Sequence, residues 1–320
     1  MMGTILVTSR SFSSGSLDLV ARLTAAGHTV VRGPADHNLA AMSELLDAAI
    51  GWIAGTGPVG QEHLAAGPRL RVIARYGVGY EAVDLNAAKG RGILVTNTPG
   101  ANNDAVADHT IGLILAVLRS IPEGDRRVRA GNWTVARGRE LGSMRVGIVG
   151  FGRIGQGVAK RLRGFGSQVY AHDPALSVEQ AAGRGAQTMR FADMSSMCDI
   201  VSLHAPGGRQ LVDESWLSAA QPGMVLINTA RPDLIDEEHL HTALTGGKIA
   251  GFAADTLVGD TAASGSPLLD PDLADRVVVT PHFGAQTVEA VDRMGSIAVT
   301  NLLAVLNGTA PPNEVFPPDN

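Results

Sequence analysis

The chain has 320 residues, 45% hydrophobic and 18% charged, with only 4% aromatic residues, 39 glycines and a formal net charge of −5. That length is more than one core usually fills and points to two domains, and the composition excludes a disordered chain. A mildly acidic balance provides no basic field for nucleic acid or an anionic membrane, which leaves small-molecule chemistry as the expected class.

In chain order, short β-rich runs alternate with amphipathic segments, the pattern of a parallel sheet with helices on its faces. TILVTS (4–9) is followed by a helical stretch over 17–26, with Leu19, Val20 and Leu23 at helical spacing. HTVVRG, a helix over 42–49 and the strand IGWIAG (50–55) come next, then RVIARYG (71–77) and GILVTNTPG (92–100), each ended by glycine or proline. These make one doubly wound unit by about residue 98. A helix over 102–120 contains the longest apolar run, TIGLILAVL, which is far too short to cross a bilayer and reads as a buried or interface helix.

After a polar stretch a second strand-helix series begins at MRVGIVGFGRIG and runs through SQVYAHD, CDIVSLHAP, GMVLINTAR, KIAGFAAD and RVVVTPHFG. A last helix, over 287–306, returns the chain to the first unit, and the proline-rich tail APPNEVFPPDN has no expected core role. The N-terminus lacks the basic and long apolar segments of a signal peptide. The one cysteine, Cys198, enters an apolar strand without a partner for a disulfide or a metal. It reads as a buried thiol in a reducing cytoplasm, and no metal is expected.

The most specific local signal is RVGIVGFGRIGQGVAKRL. Gly150, Gly152 and Gly155 follow an apolar strand and open a helix that also carries Arg153 and Ile154. Such a triplet supplies a tight turn, a close approach of backbone to a pyrophosphate and close helix-strand packing, at a helix N-terminus that favours phosphate. The next strand ends at Asp173, about 20 residues on, where a carboxylate binds ribose hydroxyls and repels a 2′-phosphate. Pro174 follows, with no lysine or arginine close behind, so NAD is expected over NADP.

Taken together, ARYGVGYEAVDLNAAKGRGILVTNTPGANNDAVADHTIGLILAVLR, GIVGFGRIG with Asp173, NTAR, AADTLVGD and TPHFGAQT resemble, in order and over nearly the whole chain, the D-isomer-specific 2-hydroxyacid dehydrogenases, phosphoglycerate dehydrogenase-like branch. The resemblance implies an α/β fold of two doubly wound domains. A flavodoxin-like substrate domain would cover 1–98 plus 286–320, a Rossmann NAD-binding domain 99–285, and a homodimer would form through the NAD domains.

Oxidising a 2-hydroxy acid needs a base, a hydride acceptor and a cation for the carboxylate. His282, at the end of RVVVTP, suits the base, and Arg231, ending MVLINTA, suits the carboxylate through its planar fork of donors. By resemblance, His282, Gly284, Thr229, Ala230, Arg231, His204, Ala205 and Pro206 contact the cofactor, and Asp255 holds the nicotinamide carboxamide. The family's glutamate partner of the histidine falls at Asp260, one methylene shorter. Substrate contacts are implied at Arg75, Tyr76, Gly77, Val78 and Gly79, with Asn102 near a hinge. Arg75, and with it Arg10, Arg137 and Arg139, reads either as a phosphate ligand or as a solvated surface arginine. Two departures stand out: a short loop, GGRQLVD, after Pro206, and Pro232 where the family has glycine.

D-3-phosphoglycerate is the leading substrate expected. Hydroxypyruvate or glyoxylate reduction is the alternative within that chemistry, and an NAD-sensing corepressor-like binding protein is the alternative outside it.

Overall fold

The computed structural model describes residues 2–259 and 265–317. The chain folds as two compact units, Met1–Asn102 with Ala285–Asn320, and Asn103–Gly284.

In the first unit five strands, β1 (Thr4–Val7), β2 (Thr29–Arg32), β3 (Ala49–Ala54), β4 (Val72–Arg75) and β5 (Leu94–Thr96), form a sheet in the order β2-β1-β3-β4-β5, every pair parallel. All six residues of β3 are buried, because a parallel sheet is covered on both faces. Alternation sorts the side chains. Ile5 and Val7 join the core under the helices Leu19–Ala25 and Val288–Leu306, and Leu6 joins the opposite core with Met42, Trp52 and Leu64. The helix Leu19–Ala25 is shorter than its apolar pattern suggests because Asp18 caps it, accepting a hydrogen bond from the Ala21 N–H. The helix Val288–Leu306 buries Met294, Ala298 and Leu302 against this sheet. The proline-rich tail departs from expectation: the Val315 N–H donates to the Val95 carbonyl and the Asn97 N–H to the Asn313 carbonyl, an antiparallel bridge along the outer edge of β5.

The second unit holds a seven-stranded parallel sheet, β6 (Arg145–Val149), β7 (Gln168–His172), β8 (Gln187–Thr188), β9 (Ile200–Leu203), β10 (Met224–Asn228), β11 (Ile249–Ala254) and β12 (Val277–Val279), in the order β12-β11-β10-β9-β6-β7-β8. Strand order reverses between β6 and β9, the switch point at which such sheets bind ligands. Along β10, Met224 and Leu226 face one core while Val225 and Ile227 face the other, so helices cover both faces. The helix Asn103–Leu118, which holds the longest apolar run, is a buried helix of this unit, packed with the helix Arg153–Phe165. Cys198 is fully buried at the end of the helix Phe191–Met197, and burial pushes its thiol up to about 12, so it stays protonated. Among the described residues no single helix is long and apolar enough to cross a membrane.

Candidate active site

Because every strand of the second sheet is parallel, all its carboxyl ends lie along one edge. In spatial order that edge presents His282 after β12, Asp255 after β11, Arg231 after β10, His204 after β9, Gly150 after β6 and Asp173 after β7. At about 4.8 Å per strand, Asp173 and Arg231 stand three spacings, roughly 14 Å, apart, a span suited to an extended dinucleotide. Backbone bonds carry the ladder past the strand ends: His204 N–H to the Val149 carbonyl, 2.7 Å, Asp255 N–H to Asn228, 3.0 Å, and Thr280 N–H to Ala254, 2.9 Å.

The glycine turn fits a dinucleotide. Gly150 has φ +87°, and a Cβ there would stand 2.6 Å from the backbone of His204 and Ala205. At Gly155 a Cβ would meet the Gly150 carbonyl at 2.2 Å, so glycine there lets the helix sit on the turn. Gly152, the N-cap of the helix Arg153–Phe165, opens onto space with nothing within 4 Å of a Cβ, the room a pyrophosphate needs beside the helix N-terminus. Arg153 is exposed in the first turn, and half-buried Ile154 packs on the core. The Asp173 carboxylate accepts from the Phe151 N–H, 2.9 Å, and the Ala175 N–H, 3.0 Å, which orients it and leaves lone pairs for ribose hydroxyls. Pro174 beside it is exposed. His204 pairs with Ser202 Oγ at 2.9 Å, and burial pushes its imidazole down to about 4, so it is neutral at physiological pH; Ala205 and exposed Pro206 follow it.

Arg231 is half-buried and extended, φ −135° and ψ 139°, the conformation a following proline imposes. Asn228 clamps its turn. Its Oδ1 accepts from the Ala230 N–H, 3.0 Å, and its Nδ2 donates to the Arg231 carbonyl, 2.8 Å. Arg231 Nη1 donates to the Ala230 carbonyl, 3.0 Å. Thr229 faces inward, its Oγ1 2.9 Å from that of Thr110. The two departures from the family pattern meet in space. Pro232 opens a short 3-10 turn, and the Asp233 carboxylate there accepts from the Gly208 N–H of the short loop after Pro206.

Asp255 is 4% exposed and already accepts three hydrogen bonds: Oδ1 from Thr280 Oγ1 and the Phe283 N–H, and Oδ2 from the Gly284 N–H. Burial alone would raise its carboxyl, but the hydrogen bonds from His109, Thr280 and Gly284 hold it below the usual range. Gly284 is thus a close-packed position whose N–H already donates to Asp255. His282 is exposed, at the strained φ of 51°. Asp260 lies outside the described residues.

The first unit is corrected at two positions. Tyr76 is 6% exposed and turned into the core, its hydroxyl donating to the Val291 carbonyl at 3.1 Å, and burial pushes it up to about 12; its side chain is not a substrate contact. Arg75 is buried, not solvated, and its Nη1 donates to the Ala54 and Tyr76 carbonyls. Gly77 has φ +144°, and Val78 and Gly79 are half-buried beside it. Asn102 Oδ1 is buried with no hydrogen-bond partner among the described residues. Arg10 and Arg137 are exposed, and Arg139 Nη2 pairs with Asp199 at 3.2 Å.

Asn228, Asp233, Thr280 and His109 escaped the sequence reading. Their only signal was a polar residue at an apolar strand end, or, for His109, just ahead of an apolar helical run.

Residues 111–284 match the D-isomer specific 2-hydroxyacid dehydrogenase, NAD binding domain. The chain is 39% identical over 262 residues to D-3-phosphoglycerate dehydrogenase of Mycobacterium bovis, covering 80% of this chain and 49% of that one; it thus spans about half the length of that relative. It is 39% identical over 269 residues to glyoxylate reductase of Thermofilum pendens, covering 80% and 78%. A solved structure of a Thermus thermophilus protein is similar with a TM-score of 0.86 and 35% identity, covering 98% of this chain and all of the other. With its glycine turn, Asp173 and the row of strand ends as described, the chain belongs to the D-isomer specific 2-hydroxyacid dehydrogenase family, and the domain it shares with that family binds NAD.

Proposed function

We propose that the protein is an NAD-dependent oxidoreductase acting on a D-2-hydroxy acid and its 2-oxo acid. The observation that carries this reading is the single edge of the second sheet, on which a cation, an exposed imidazole and a dinucleotide turn stand in line. NAD bound there would supply the hydride acceptor. The helix N-terminus after Gly152 holds the pyrophosphate and Asp173 the adenosine ribose. Arg231 binds the substrate carboxylate and polarises the oxygen that becomes the carbonyl. His282 takes the hydroxyl proton at its imidazole nitrogen, and Asp260 stabilises the resulting imidazolium. Asp255 contributes through the lone pairs its present donors leave, to the nicotinamide amide. The first unit is read as the substrate domain, with the backbone N–H groups of Val78 and Gly79 as its substrate donors, and the chain passes from it to the second unit at Asn102.

D-3-phosphoglycerate is the leading substrate of this reading, with glyoxylate or hydroxypyruvate as the alternative; Arg75, the foremost candidate for a phosphate, gives its Nη1 to two carbonyls, which uses two of the guanidinium's five N–H donors. A panel of 2-hydroxy and 2-oxo acids assayed by NADH absorbance tests both. Preference for the phosphorylated acid would reject the second substrate, and intact NAD binding with no turnover on any acid would favour the corepressor-like role.

The protein is further read as a cytoplasmic homodimer joined through the NAD-binding unit. Support comes from Ile121, Val128, Trp133 and Val135, all exposed along 121–139, with Trp133 at 78% and Val135 at 90%. Light scattering of the protein and of Trp133→Ser measures it; a monomer in the unaltered protein would reject it.

A further inference from the structure

The turn that carries His282 is strained, and the residues that hold it gather around one buried carboxylate, that of Asp255. A non-glycine residue in the left-handed region costs about 1–2 kcal/mol, so φ 51° at His282 persists only where its surroundings enforce it. Asp255 takes two consecutive N–H groups, those of Phe283 and Gly284, which pins the far side of the turn. The near side is pinned by Thr280, whose Oγ1 lies 2.5 Å from Asp255 Oδ1 and 2.9 Å from His109 Nε2.

A hydroxyl has one proton. Given to the carboxylate, it leaves the oxygen to accept from the imidazole, so His109 carries its proton on Nε2. That same Nε2 is 3.3 Å from Asp255 Oδ1. The His109 ring also packs against Phe283, centroids 5.1 Å apart at 59°. At Gly284 a Cβ would stand 2.8 Å from Asp255 Oδ2 and 3.2 Å from His109 Cδ2, so only a bare Cα lets the turn close over the imidazole. His109 thus touches the turn at residues 280 and 283 and fills the space beside Gly284, and the residue held between them is His282.

We propose that His109, bridged by Thr280 to Asp255, is a positioning residue that sets the aim of His282. This rests on the dehydrogenase reading only for its catalytic consequence, since the geometry of the turn exists without it. Loss of the Nε2 donor removes support from Thr280 Oγ1 and from the buried carboxylate behind it, which loosens the two amides that carboxylate holds and frees the strained residue just before them.

The test compares His109→Ala, His109→Gln and Thr280→Val in the full chain. Glutamine restores an N–H donor close to the position of Nε2, and valine removes the bridge without touching the helix. Backbone amide exchange at Phe283 and Gly284 is expected to quicken by about 10-fold or more in His109→Ala and Thr280→Val, and to return toward the original rate in His109→Gln. On the preferred acid, kcat is expected to fall about 10-fold or more in the same two variants with KM for NAD within about twofold, and to recover with glutamine. Unchanged exchange at both amides, or a glutamine variant no better than alanine, overturns the proposal. If the unaltered protein oxidises no acid, the dehydrogenase reading fails by itself and amide exchange still decides the role of His109.

Discussion

The two sheets of this chain share one plan and use their carboxyl edges differently. In the first unit the side chains at that edge are spent on one another, while residues 77–79 stay partly exposed. Thr8 Oγ1 is 2.7 Å from His37 Nε2 and accepts from Trp52 Nε1 and the Gly55 N–H, His37 Nδ1 meets the Pro58 carbonyl at 3.0 Å, and Tyr76 points into the core. In the second unit the corresponding edge keeps Gly152, Asp173, Arg231 and His282 at least partly exposed. Standing at a strand end is therefore not enough to make a side chain functional. What distinguishes the two edges is how much polar capacity their own neighbours consume.

The largest expected effect that could break this contrast is at Arg231. Arg231→Ala removes the carboxylate's partner and should lower kcat/KM for acid oxidation about 10³-fold with the fold intact. Full efficiency in that variant would undo the assignment.

The edge of the first unit is tested next, by pH. Burial holds His37 down to about 4 against an ordinary 6.5, so between those values the unfolded chain binds the extra proton. Stability is then full above pH 6.5 and falls as pH drops toward 4, by up to about 3 kcal/mol. Urea midpoints at pH 7 and pH 5 should separate in the natural protein and draw together in His37→Asn, a residue that also tolerates the positive φ of 59° found there. Equal separation in both would show that His37 is not the group responsible.

A smaller effect is expected at Asp173, where Asp173→Ser should cost about 1–2 kcal/mol of NAD preference, roughly 10-fold in the ratio of NAD to NADP efficiency. No change in that ratio would place the discrimination elsewhere. Smallest of all, Pro232→Gly should leave kcat within about twofold, because the Asn228 clamp already holds the Arg231 carbonyl. A large loss would show that proline, rather than Asn228, aims the arginine.

Much of the second unit was legible in the sequence alone, for a physical reason. Parallel strands put successive carboxyl ends on one side, so the order of strand endings is already a map of the edge. The same logic did not foresee that Arg75 and Tyr76 are buried. VIARYG belongs to a strand buried on both faces, where alternation carries no sign of which side chain turns inward. The bond between His109 and Thr280 joins residues 171 positions apart and depends on packing between a helix and a turn, which no local pattern encodes. The pairing of residues 313–315 with β5 was missed because proline-rich composition describes what a segment cannot do alone and says nothing of an edge waiting for a partner.

That pairing, with the helix Val288–Leu306, has a consequence for biosynthesis. The second unit is one uninterrupted stretch, Asn103–Gly284, whereas the first needs residues from both sides of it. On the ribosome the nucleotide unit can fold as soon as it emerges. The sheet of β1 to β5, made earlier, must wait, with the apolar surface that Met294, Ala298 and Leu302 later cover still bare, until translation has passed residue 306. The sheet made first thus belongs to the unit completed last.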